Sequence, residues 1–453
     1  MNKIKYLLLI FIALFLSCKK EMKVDYVIFL GTIENPIIDS LPIQDINNKT
    51  FGTIHLAKDN SFYDTLYVPK GYYYLNDRTN IRSLFLNPSK NLKATIYYEE
   101  NVSFLAFQGN GANENNYLQQ KNQLDKDFEK VKNHKYYLNL NEEDFLKLSD
   151  SINSVKTKLL KSQINLDKDF MLYEVFSLEN NKASLINSYR KWRGVFIDNK
   201  DFKVTQNFPN PYKNIDLSNE KLLAHPDYIQ CLKGFIAYKM EGAITEDESL
   251  TQLKTINKEI KNQLIKDKLA YEAMKFGITE TKVLDTVYNK YLSMVKDKTY
   301  KHAFEETYLN LKKISKGTVS PAFELYDIND ELITLESLKG KLVYIDIWAT
   351  WCIPCINEIP ALKELEKEFK YKDIQFVSIC LKDSKEQFVK LVKEKELGGI
   401  QLFAPDENIT FFKEYFLSGI PRFILIDKYG KIIDANAYKP SNPKLKEQIL
   451  ENI

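Results

Sequence analysis

The chain has 453 residues, too many for one ordinary hydrophobic core, so two or three domains are expected. Apolar residues at 44% and charged residues at 28% exclude a disordered chain. A net charge of +3, from 64 basic and 61 acidic residues, gives no reason to expect a nucleic-acid partner.

Met1 to Cys18 reads as a targeting segment. Lys3 and Lys5 make a positive start, and Tyr6 to Leu16 is an apolar run too short to span a bilayer. Ser17-Cys18 ends it and Lys19-Lys20-Glu21 follows, with Phe15 three residues before the cysteine. A small residue directly before a cysteine resembles the cleavage site of bacterial lipoproteins. That resemblance implies a signal peptide over 1–17 and a lipid on Cys18, anchoring the protein in the cell envelope and facing the periplasm. An ordinary secretory signal and an uncleaved anchor are the alternatives; all three export the body of the protein. Residues 19–24 form a short polar tether.

Residues 25–108 carry a β pattern. Tyr26–Gly31, Thr53–Leu56, Phe62–Val68, Gly71–Leu75 and Leu92–Tyr98 read as strands, with Lys58-Asp59-Asn60 as a turn. Tyrosine and β-branched residues at this density suit a small antiparallel domain with one wet face. Gly109-Asn110-Gly111 then breaks the chain.

Residues 113–315 have a helical period. Phe145, Leu148, Ile152, Val155 and Leu159 recur at steps of three and four behind Asn141, a fitting N-cap. Leu253, Ile256, Ile260 and Leu264 predict a second helix running to Phe276, with Gly277 placed to end it. Cys231 reads as a small buried apolar residue, and His225, before Pro226, as a cap.

From 316 to 453 strands and helices alternate, which predicts a mixed sheet covered on both faces. The expected order is an entry strand, strand Leu342–Ile347, helix Cys352–Phe369, strand Ile374–Cys380, helix Ser384–Lys395, a strand near Gln401–Ala404, helix Thr410–Phe416, strands Phe423–Asp427 and Ile432–Ala437, and helix Pro443–Asn452.

The chemistry concentrates in Trp348-Ala349-Thr350-Trp351-Cys352-Ile353-Pro354-Cys355. A short apolar strand feeds a helix at Cys352, where unpaired backbone N–H groups favour a thiolate, the reactive form of cysteine. Cys355, one helical turn on, lies close enough to close a small disulfide ring. A Cys-x-x-Cys pair also fits half a zinc site or a structural disulfide. Zinc needs a second ligand pair, but Cys18, Cys231 and Cys380 stand apart and His55, His134, His225 and His302 are scattered. Closing so short a loop removes little chain entropy, so the pair serves exchange rather than stability. No metal and no cofactor are expected. Asp346 is a carboxylate in an otherwise apolar strand, costly to bury unless it has a role; an outward strand phase is the alternative.

Trp348 to Cys355 resembles the active-site segment of thioredoxins, and more closely the thioredoxin-like domains of TlpA/ResA-type thiol–disulfide oxidoreductases. Ser320 to Leu325 is similar to that family's entry strand, Leu335 to Lys341 to its approach to the central strand, Gly419 to Asp427 to its cis-proline loop, and Gly430-Lys431-Ile432 to its closing turn. The junction near 109–118 is similar to one in secreted thioredoxin-like lipoproteins, where a small β domain leads into helices. The resemblance implies a C-terminal thioredoxin-like α/β fold preceded by an antiparallel β domain and a helical domain.

It further implies that Cys352 attacks a partner disulfide and Cys355 resolves the mixed disulfide, with Asp346 relaying protons to and from Cys355. Trp351, Pro354, Ile420 and Pro421 would meet the substrate, while Trp348 and Cys380 belong to the core. Arg422 departs from the usual hydroxyl residue and either tunes partner choice or lies on the surface. Protein thiols and disulfides are the expected partners, with a membrane electron donor. An alternative is a binding lipoprotein whose β and helical regions dominate. A thiol peroxidase needs threonine three residues, and proline seven, before its cysteine; Ala349 and Ile345 stand there.

Overall fold

The computed structural model describes residues 26–453 apart from 37, 47, 77–80, 89, 100–101, 130–132, 243–246, 280, 406–408 and 418. The signal segment 1–17 and Cys18 lie outside the described residues. The chain divides into two compact units, 1–231 and 232–453, so the helical stretch expected over 113–315 is shared between them.

The first unit opens with two four-stranded sheets. One runs Ser61–Leu66, Val27–Glu34, Leu92–Glu99, Val102–Gln108, and the other Thr50–His55, Ser40–Gln44, Gly71–Asn76, Ile81–Leu86. Pairing is antiparallel except between Val27–Glu34 and Leu92–Glu99, which run parallel. Alternate residues point inward, as in Gly71–Asn76, and Phe29, Leu41, Ile54, Leu84 and Ile96 from both sheets share one core.

Helix Ala112–Asp127 closes two sheet edges through adjacent amides. Asn115 bonds both backbone groups of Phe85, at 2.9 Å each, and Asn116 does the same to Phe107. An asparagine side chain thereby stands in for a missing strand. Helix Glu142–Ser162 begins at Asn141, whose side chain accepts from the Asp144 N–H. Helix Lys168–Phe196 brings in Glu174, a buried carboxylate that accepts from Tyr72, Tyr117 and Lys121. His225 is buried and accepts from the Asp227 N–H through Nδ1; burial pushes its pKa down to about 3, so it is neutral.

The second unit contains helices Glu248–Glu259, Gln263–Gly277, Leu284–Met294 and Lys298–Lys313. The single helix expected from Leu253 to Phe276 is therefore two. Ile260 turns to an extended conformation, and the Asn262 side chain accepts from the Ile265 N–H, starting a new helix.

The same unit holds a seven-stranded sheet in the order Leu332–Thr334, Glu324–Asp327, Ile400–Ala404, Ile374–Leu381, Leu342–Trp348, Arg422–Ile426, Ile432–Asp434. The three middle strands from Ile400–Ala404 to Leu342–Trp348 are parallel, and the outer pairings are antiparallel. Every residue of Leu342–Trp348 is buried, which explains why all but Asp346 are apolar or aromatic. Helices Ile359–Glu368 and Pro443–Leu450 cover one face through Leu362, Leu365, Leu445 and Ile449. Helix Lys385–Glu394 brings Phe388 and Val392 to a separate cluster around Trp348 and the cysteines.

Candidate redox site

The central strand delivers the chain to its edge at Trp348, and the next residues turn sharply. Asp383, from the loop after the neighbouring strand, accepts the Thr350 N–H at 2.7 Å and that of Ser384 at 2.8 Å. Trp351 donates its indole N–H to the Lys382 carbonyl at 3.2 Å while 58% of its surface stays exposed. These bonds fix where Cys352 emerges.

Cys352 caps the short helix Ile353–Ile356, and the Cys355 N–H points at its Sγ at 3.3 Å. A disulfide joins Cys352 and Cys355, with Cα atoms 5.3 Å apart. Both cysteines are only 4% exposed, whereas Ile353 and Pro354 between them are exposed. The long helix expected over Cys352–Phe369 is interrupted and resumes at Ile359. Pro360 cannot donate a helical hydrogen bond, so the first segment stops after one turn. A four-residue helix has little macrodipole, and the directed Cys355 N–H is what can stabilise charge on the Cys352 sulfur.

Asp346 faces inward and is 9% exposed. Burial pushes its carboxyl up to about 8, and the nearby Glu358 and Glu366 carboxylates push the same way. It lines a cavity of about 10 Å³ together with Cys355, Trp348, Glu366, Ser378 and Gln401. A group with this pKa can take or release a proton near neutral pH.

The Ile420–Pro421 bond is cis, and Ile420 packs against the cluster that contains both cysteines. Arg422 is not on the surface. It is buried in the strand that follows and donates to the Thr279 carbonyl at 3.5 Å. Cys380 is fully buried in that cluster; burial pushes its thiol well up and Asp383 adds to the effect, which makes it a poor nucleophile.

Three residues escaped the sequence reading. Asp383 acts through a loop contact that only the fold creates. Glu358, three residues after Cys355, accepts from the Ser441 N–H at 2.8 Å, the Ser441 hydroxyl at 2.9 Å and Lys439 at 3.0 Å. Burial pushes its carboxyl up, but those donors outweigh it and leave it below the ordinary value. Glu366 left a signal: with Ile359 facing the sheet, the helical period places 363 and 366 on the inner face as well.

A mixed sheet whose central strand ends at a Cys-x-x-Cys helix start, with a cis-proline loop alongside, defines the C-terminal part of the chain as a thioredoxin-like domain of the thiol–disulfide oxidoreductase class. Residues 315–452 match the family model described as Redoxin, and this segment is a Redoxin domain. The chain is 28% identical over 131 residues to a thiol-disulfide oxidoreductase ResA of Bacillus cereus, covering 29% of this chain and 75% of that protein. It is 29% identical over 130 residues to ResA of Bacillus subtilis (strain 168), covering 29% and 72%. Among solved structures, the thioredoxin domain of a thiol-disulfide oxidoreductase from Bacteroides vulgatus is 26% identical, covering 30% of this chain and 96% of that one, at a TM-score of 0.28.

Proposed function

We propose that the protein is exported, tethered to the envelope by a lipid on Cys18, and reduces or isomerises protein disulfides. The observation that carries this reading is the Cys352–Cys355 disulfide at the end of a buried strand, with a buried carboxylate beneath it. Cys352, at the cap position with a backbone N–H aimed at its sulfur, is the attacking residue. Its thiolate displaces one sulfur of a partner disulfide and forms a mixed disulfide with the other. Cys355 then attacks Cys352, and the partner leaves as a thiolate. Asp346 accepts the Cys355 proton in this direction and returns it in the other.

Trp351, Pro354, Ile420 and Pro421 receive the partner chain, with Trp351 and Pro354 presenting exposed surface beside the pair. A membrane donor resupplies electrons. The organisation that accompanies this reading is a signal peptide over 1–17, a β domain over 25–108, a helical domain over 113–315 and the redox domain over 316–453. Among the described residues no helix is long and apolar enough to cross a membrane.

Reduction of insulin by dithiothreitol tests the exchange reaction. The Cys352→Ser protein is expected to lose the catalysed rate entirely; wild-type activity in that variant refutes the mechanism. Membrane fractionation tests the tether: Cys18→Ser moves the protein to the soluble fraction, and unchanged partition removes the lipid from the reading.

A further inference from the structure

Asp346 can use a proton only if it can exchange it with solvent, yet it is 9% exposed and lies beneath the cysteine pair. The cavity it lines is polar on several sides. Trp348 Nε1 and Gln401 Oε1 are buried without a hydrogen-bond partner, and both residues line that cavity. Polar atoms of this kind around a space the size of one water can hold a bridging water, though Ile359, Leu362 and Leu397 also line it.

Glu366 lines the same cavity and is half-buried, so it is in contact with both the interior and solvent. Its carboxylate is seated on two glycines. A methyl group at Gly398 would overlap Glu366 Oε2, and one at Gly399 would stand 2.9 Å from Oε1. The charged groups that act on it or share its cavity are Lys363 on its own helix, held by the Lys395 carbonyl at 2.9 Å, and Asp346 on the central strand, on which Glu358 also acts. Cys355, Ser378 and Gln401 are among the other residues that line the cavity. Burial pushes the Glu366 carboxyl up to about 7, with Lys363 opposing, so Glu366 and Asp346 both change charge close to neutral pH.

We propose that Glu366 is the second proton carrier of this site, passing to solvent across the Trp348–Gln401 cavity the proton that Asp346 takes from Cys355. The inference rests on the role given to Asp346 above. In the resolving step the Cys355 S–H bond breaks and its proton goes to the Asp346 carboxylate. The Cys355 sulfur forms a bond to Cys352 Sγ, and the bond from Cys352 to the partner sulfur breaks. The partner leaves with that electron pair as a thiolate; the pair Cys352–Cys355 is oxidised and the partner disulfide has been reduced. The Asp346 proton then moves to the Glu366 carboxylate and on to solvent, where it is available to the departing thiolate. Glu366 acts through Asp346 and touches neither sulfur in the bond exchange.

The test uses the full chain in its reduced form, mixed with glutathione disulfide and quenched in acid at intervals. Mass spectrometry follows the decay of the glutathione adduct on Cys352 between pH 5.5 and 9. Glu366→Gln is expected to slow that decay about tenfold, less than loss of a direct acid–base group. Removing the neighbouring negative charge also lets Asp346 ionise more easily, so the rising limb of the profile moves about one unit to lower pH. Glu366→Asp is expected to restore most of the rate. The proposal is overturned if Glu366→Gln matches wild type in rate and limb while Asp346→Asn is slow. It is equally overturned if Glu366→Gln slows the decay uniformly at every pH and Glu366→Asp gives no rescue, since a structural role does the same. An Asp346→Asn protein indistinguishable from wild type would instead remove the Asp346 role on which the inference stands.

Discussion

A buried acid in the middle of a sheet is paid for in stability, and Asp346 shows the sign of that cost. Its carboxyl is held at about 8 against an ordinary 3.8. The folded protein therefore binds the proton more tightly than the unfolded chain. The stability that depends on this proton is full below the ordinary pKa and is lost as pH rises through about 8. Asp346→Asn removes the loss. The variant is expected to gain about 1.5 kcal/mol at pH 5 and several kcal/mol more at pH 9, on a scale of about 1.4 kcal/mol per unit. Urea unfolding of the oxidised protein at the two pH values measures this; equal gains at both would mean that Asp346 is already ionised in the folded protein at pH 5. At this scale Cys352, Cys355 and Asp346 were legible because their signal is local: a fixed spacing, and one carboxylate in an apolar run. Arg422 was not, because nothing near it in sequence reveals that Thr279 provides a buried acceptor.

Elements were legible where period and breakers agree. Leu342–Trp348 and Ile374–Leu381 fall within a residue of their expected ends, and Asn141 caps its helix as its position suggests. The misses have physical causes. Pro360 and Asn262 each divide what periodicity alone reads as one helix. Ser40–Gln44 hides as a strand because Pro42 lies within it. The fold tolerates this proline because its second neighbouring strand pairs only from Ile43 onward. The sheet edges depend on contacts that no local pattern encodes. Asn115, fully buried, accepts the Phe85 N–H and donates to the Phe85 and Gly111 carbonyls. Asn115→Ala strands these groups away from water and is expected to cost about 3 kcal/mol. Chemical denaturation followed by the far-ultraviolet signal checks it; a change below about 0.5 kcal/mol would show that water replaces the amide freely.

Over the whole molecule, the redox chemistry occupies residues 315–452, and a larger body precedes it. The family match begins at 315, and compactness divides the chain between 231 and 232, because the later helices belong with the sheet. Lys282 shows why: from the segment between two of those helices it reaches Asp434 at 2.7 Å and the Asn436 carbonyl. Composition cannot locate such a division, since it falls within the helix Tyr228–Met240, whose period runs across it. What the molecule does depends on its cysteine pair moving between two states. Equilibration of the full chain with glutathione buffers of graded ratio, followed by alkylation and mass spectrometry, measures this directly. The expected result is one reversible two-electron transition between the Cys352–Cys355 disulfide and the dithiol, absent in Cys352→Ser and in Cys355→Ser. A pair that remains oxidised at every ratio, or whose oxidation cannot be reversed, would contradict thiol–disulfide exchange as the function of this protein.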